Sequence, residues 1–136
     1  NVAAAIGLAQ MERVDEILNA KITLASNYRQ RLEHLGVHFQ KINDDAVSSC
    51  WFNVAQLPSR IILDRVKDQL TQVGVEVRQA FPLISDMPVY KDISAEDFPD
   101  ARHISETAIC LPSFPELPEA DFDLICSTIT RCFNSD

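Results

Sequence analysis

Two histidines four residues apart, His34 and His38, have the spacing at which one helix face could offer both imidazoles to a metal ion. Gly36 falls between them where a helix is expected to end, so the shared face is lost and both read as surface histidines, with no metal site. The four cysteines, Cys50, Cys110, Cys126 and Cys132, form no Cys-x-x-Cys pair, and three of them stand in apolar runs. They read as reduced core thiols rather than a disulfide framework. Cys126 and Cys132, six apart on an expected helix, read as small core hydrophobes. With only three glycines, the chain has no phosphate-cradling loop. It also lacks a Gly-x-Ser-x-Gly elbow and a dinucleotide fingerprint. The carboxylates at 44–45, 92–100 and 116–123 read as solvated loop and helix-start charges. Taken alone, these residues make no catalytic constellation.

A chain of 136 residues fits one domain with a real core. Hydrophobic residues at 46% and charged residues at 24% place it among ordinary soluble globular domains. The net charge of −8, with basic residues scattered among acids, argues against a nucleic-acid or anionic-membrane partner. No apolar run reaches the about 18 residues of a membrane span, and no signal peptide is visible; the reduced thiols point to a cytoplasmic protein. The chain opens within an Ala-rich helix without an initiating methionine. The expectation is that the protein continues upstream.

The elements follow from the apolar pattern. Ala4, Leu8, Met11, Val14, Leu18, Ile22, Ala25, Leu32 and Leu35 recur at three- and four-residue steps, predicting one long helix over 1–35, stopped by Gly36 and bent near Asn19 or Lys21. Its first turns, residues 2–9, are apolar nearly all round and call for burial on every side. Residues 49–57 predict the best strand and 37–42 a weaker one. Ser59 caps a helix with the stripe Ile62, Val66, Leu70 and Val73, closed by Gly74. Residues 75–78 alternate as a short strand, and 81–98 read as a long loop. Pro99 opens a short helix, 108–111 form a strand, and a last helix from Pro118 or Glu119 turns Phe122, Ile125, Ile129 and Phe133 inward. The sum is an α+β layer over 36–136, a small, largely antiparallel sheet with helices on one face.

Three stretches in order carry a resemblance. The opening Asn1-Val-Ala-Ala-Ala-Ile-Gly-Leu-Ala-Gln-Met11-Glu-Arg13 resembles the wording Ala-Ala-x-Gly-Leu-Ala-Gln-Leu-Glu-Arg of the DegT/DnrJ/StrS family of pyridoxal-phosphate-dependent nucleotide-sugar aminotransferases. Gly74-Val-Glu-Val-Arg78 followed by Phe81-Pro-Leu-Ile-Ser85-Asp-Met-Pro88-Val-Tyr90 is similar to that family's Gly-Ile-Glu-x-Arg-Pro and Pro-Leu-Ser/His-x-x-Pro-x-Tyr. Leu111-Pro-Ser-Phe-Pro-Glu-Leu117 with Asp121 resembles its Leu-Pro … Pro-x-Leu-x-x-x-Asp. The chain departs from the pattern at Gln79-Ala80, where relatives often carry proline and an aromatic.

The resemblance implies the C-terminal small domain of a fold type I, aspartate-aminotransferase-like enzyme, with 1–35 as an interdomain helix and the large cofactor-binding domain upstream. It further implies a homodimer and the transfer of an amino group, typically from glutamate, to a keto-sugar nucleotide. The Schiff-base lysine and the acid at the pyridine nitrogen lie in the large domain of the family, so no catalytic or cofactor-binding residue is expected here. Lys21, Lys41, Lys67 and Lys91 match no family lysine motif and read as surface charges. Arg78, before the long loop, is the candidate for a substrate carboxylate or phosphate, with Ser85 and Tyr90 as further substrate-side groups. Two alternatives stay open: a same-family sugar dehydratase with histidine in place of the lysine, and a free-standing α+β binding or regulatory module.

Overall fold

The computed structural model describes residues 1–90 and 98–134. The first helical stretch is two helices, α1 (Val2–Met11) and α2 (Val14–Leu32), followed by a 3-10 turn at Glu33–Leu35. This corrects the single helix expected over 1–35, and the break falls at Arg13 rather than near Asn19 or Lys21. Arg13 leaves helical geometry at φ −112°, ψ 11°. Its guanidinium closes onto Glu16 of the next turn at 2.9 and 3.0 Å. Asn1 caps α1 by accepting from the Ala3 N–H at 3.1 Å. Gly36, at φ 81°, ends the run in the left-handed conformation the sequence called for.

Four short strands follow: β1 (His38–Phe39), β2 (Asn53–Gln56), β3 (Arg78–Gln79) and β4 (Ala108–Leu111). They pair in the order β1-β2-β4-β3, every pair antiparallel, with Ala55 opposite Ile109 and Arg78 opposite Cys110. Three strands are shorter than their sequence patterns, and the run 37–42 pairs only at His38–Phe39. The run 49–57 pairs only over Asn53–Gln56 because Cys50 turns to φ 48°, which ends extended geometry before the aromatic pair. The strand expected over 75–78 pairs only at Arg78–Gln79, because the Val75 N–H is spent on the Leu70 carbonyl at 2.9 Å. That bond, with Gly74 N–H to Thr71 O at 3.0 Å and Gly74 at φ 80°, closes the preceding helix.

The helices α3 (Arg60–Gln72), α4 (Pro99–Thr107) and α5 (Glu119–Phe133) complete the layer. Ser59 caps α3 by accepting from the Ile62 N–H at 3.3 Å, and Pro99 occupies the first turn of α4. One core joins Leu24, Tyr28 and Leu32 of α2, Leu63, Val66 and Leu70 of α3, Ile125, Cys126, Ile129 and Cys132 of α5, and Ala55, Ile109 and Leu111 of the sheet. In the first turn of α3 Leu63 is buried and the expected Ile62 only half-buried, and Val73, just past the helix, is exposed. Phe122 and Phe133 are half-buried at the margin of the core. Polar ties fasten the helices to it. The Tyr28 hydroxyl donates to Pro112 O at 3.2 Å, Arg31 pairs with Asp123 at 2.8 Å, and Arg65 donates to Cys132 O at 2.9 Å.

Candidate functional site

Beyond Gln79 the chain leaves the sheet and turns twice, at Ile84–Asp86 and Pro88–Tyr90. Four bonds hold this segment to α4 and β4. Gln79 donates to Ser105 O at 2.8 Å, and the Ala80 N–H to Ala108 O at 2.8 Å. The Ser105 hydroxyl donates to Phe81 O at 3.1 Å, and Arg102 pairs with Asp86 at 2.9 Å. Leu83 is buried between them. The segment through Asp86 is thus tied to the scaffold; residues 91–97 of the expected loop, with Lys91, lie outside the described residues.

Next to β3 and β4 opens a cleft of about 850 Å³, and its size matches that of small-molecule pockets. Apolar and aromatic groups dominate the lining, with Trp51, Phe52, Phe81 and Phe114 foremost, and charge enters from Lys21, Glu76, Arg78 and Asp121. Trp51 and Phe52 stack at 5.0 Å with planes 19° apart, and Phe81 meets Phe52 edge-on at 6.1 Å. Lys21 of α2 donates to Ser113 O at 2.7 Å and Trp51 O at 3.2 Å. The Asn53 N–H and side-chain amide both donate to the Ser113 hydroxyl, at 2.8 and 3.1 Å. The backbone on either side of the aromatic pair is therefore pinned.

Of the three candidates from sequence, Arg78 lines this cleft, while Ser85 and Tyr90 do not. The Arg78 side chain is 83% exposed and gives Nε and Nη2 to Glu76 Oε1 at 3.2 and 3.1 Å. Ser85 sits on the first turn with its Oγ buried and unpartnered, and Tyr90 ends the second with a partly exposed ring. His34 lies in the Glu33–Leu35 turn and His38 on β1, with Gly36 between them; both are exposed. Sequence reasoning missed Lys21, Trp51, Phe52 and Phe81. The one signal was an aromatic pair at the start of a strand-like run, which reads equally well as sheet filling.

The lysine of the cleft does not fit the Schiff-base role. A Schiff-base lysine must be able to lose its proton and reach the cofactor aldehyde. Lys21, the lysine of the cleft, is instead tied by its side-chain nitrogen to the backbone carbonyls of Ser113 and Trp51.

The fold of this chain recurs as part of solved aminotransferases. The aminotransferase TlmJ from Streptoalloteichus hindustanus superposes with a TM-score of 0.88 at 21% identity, over 98% of this chain and 36% of that one. Residues 1–130 match the sequence profile of the DegT/DnrJ/EryC1/StrS aminotransferase family, and the chain belongs to that family. Among curated relatives, GDP-perosamine synthase of Vibrio cholerae is 32% identical over 98% of this chain and 37% of its own length. The GDP-perosamine synthase of Caulobacter vibrioides is also 32% identical, over 96% of this chain and 36% of its own length. The chain thus spans little more than a third of the relatives it matches. No helix among the described residues is long and apolar enough to cross a membrane.

Proposed function

We propose that this chain is the C-terminal small domain of a pyridoxal-phosphate-dependent aminotransferase acting on a keto-sugar nucleotide, with glutamate as amino donor. The observation that carries the reading is the family match over 1–130 in a chain that spans 37% of its relative. The full-length protein then contains a large domain upstream, works as a homodimer in the cytoplasm, and takes its Schiff-base lysine and pyridine-nitrogen acid from that upstream part. The cofactor, when bound there, supplies the electron sink for amino transfer. This chain's contribution is binding and shape, and the fragment alone is inactive. Arg78 offers a guanidinium at the cleft to a phosphate or carboxylate of the substrate.

The test uses the full-length protein with a 4-keto-sugar nucleotide and glutamate. A charge-assisted contact contributes about 1.5–3 kcal/mol. Arg78→Ala is therefore expected to weaken sugar-nucleotide affinity roughly ten- to hundred-fold, with the cofactor absorbance band unchanged. Unchanged sugar affinity in a folded variant removes Arg78 from the site. An absence of amino transfer in the unsubstituted protein removes the reading itself.

A further inference from the structure

We propose that Trp51 is the stacking platform for the base of a nucleoside diphosphate, with its diphosphate directed to Arg78. This rests on the reading above and assigns it a subsite. Trp51 is the single tryptophan of the chain and is 72% exposed. An indole left this far out of a core forfeits a large burial free energy, so its position calls for an occupant. Its ring is also prepared. Phe52 backs it at 5.0 Å, nearly parallel, and Phe81 braces Phe52 edge-on at 6.1 Å. Lys21 fixes its carbonyl, and Ser113 accepts from the Asn53 N–H two residues on. A surface aromatic on a loose loop would have neither support.

The chemistry of the cleft selects the ligand. One flat, exposed π-face suits a planar heterocycle, because every nucleobase offers a face to stack. Arg78 lines the same cleft, and its planar five-donor fork matches phosphate oxygens. Glu76 now takes two of those donors through one oxygen; both partners are about four-fifths exposed, so the pair is weak and readily exchanged for a dianionic group. A purely apolar occupant is disfavoured, because Lys21, Glu76, Arg78 and Asp121 stand among the lining residues and would lose water to it with nothing given in return. A free base or a free diphosphate would satisfy only half of the cleft.

The experiment is calorimetric titration of the full-length protein with GDP, dTDP and inorganic pyrophosphate, comparing Trp51→Ala, Trp51→Phe and the unsubstituted protein. Losing the stack should weaken GDP and dTDP roughly ten- to hundred-fold in Trp51→Ala. Trp51→Phe should retain most of the affinity, and pyrophosphate should bind all three alike. Hydroxyl-radical footprinting of the unsubstituted protein adds a readout that needs no variant: GDP should protect Trp51 from oxidation. Equal GDP affinity in Trp51→Ala overturns the proposal. So does a Trp51 protected before any nucleotide is added, because the remainder of the protein is then its cover. If Trp51→Ala does not fold, Trp51→Phe and the footprint decide. Amino transfer that depends on Arg78 while GDP ignores Trp51 leaves the proposed function standing without this subsite. GDP bound on Trp51 in a protein that transfers no amino group leaves the subsite standing without that function.

Discussion

Cys126 and Tyr28 meet in the core under conditions that make their protons hard to remove. Burial pushes the Cys126 thiol up to about 11, with Arg31 pulling it back and Asp123 adding to the rise. Burial also pushes up the Tyr28 hydroxyl, and the neighbouring Cys126 adds to it. Cys132 and the half-buried Cys110 are raised for the same first reason. A raised pKa means that the folded chain holds the proton more tightly than the unfolded one. Stability from Cys126 is therefore complete below its ordinary value of 9.0 and is lost as pH rises through about 11. Urea midpoints measured from pH 8 to 11 should fall across that window, and Cys126→Ala should flatten the fall while lowering the starting value. An unchanged slope in Cys126→Ala assigns the alkaline loss to other groups. The thiols behave as the sequence suggested for Cys126 and Cys132, which are buried; Cys50 and Cys110 are only half-buried.

Gly74 shows how one residue sets two elements. At φ 80° it lets α3 end with Thr71 and Leu70 carbonyls satisfied, and the chain then reverses toward β3 and Arg78. A Cβ built there meets nothing within 4 Å, so the penalty of a side chain is purely conformational. Gly74→Ala is expected to cost about 1–2 kcal/mol in denaturant unfolding. A neutral substitution would show that the turn tolerates another backbone. Punctuation of this kind was legible without coordinates: Gly36, Ser59, Gly74, Pro99 and the strand Ala108–Leu111 all stand where the pattern put them. What the pattern missed was decided by competition between bonds. No glycine, proline or capping residue marks the break at Arg13; it shows only in the Arg13 dihedrals. Residues 75–78 alternate like a strand, but Val75 closes a helix instead. Residues 49–52 have the composition of a strand, but Cys50 is left-handed. The candidate site was readable at Arg78 through a family likeness. Trp51 was not, because nothing local tells an aromatic that fills a sheet from one that lines its edge.

The described residues divide between a packed layer and a helix, α1, that buries no side chain. Every residue of α1 is exposed, with Val2 at 78%, Ile6 at 61%, Leu8 at 62% and Met11 at 64%. The sequence called for burial on all sides of this stretch, and this chain supplies none. Contiguous apolar surface beyond a few hundred Å² on a soluble chain marks an interface. Under the proposed function its partner is the upstream domain. In the isolated 136-residue chain the same surface should drive concentration-dependent self-association, seen by sedimentation, and bind a hydrophobic dye. Removing residues 1–12 should abolish both. Because α1 contributes no buried side chain, the truncation should change the unfolding free energy by no more than about 0.5 kcal/mol. Amide exchange should report the same division, with α1 opening freely and α2 protected near the global limit, since Leu24, Tyr28 and Leu32 anchor α2 alone. A truncation that costs several kcal/mol, or α1 amides as slow as those of α2, would place this helix in the domain's own core. A chain that stays monomeric at high concentration and binds no dye would show that its apolar face needs no partner.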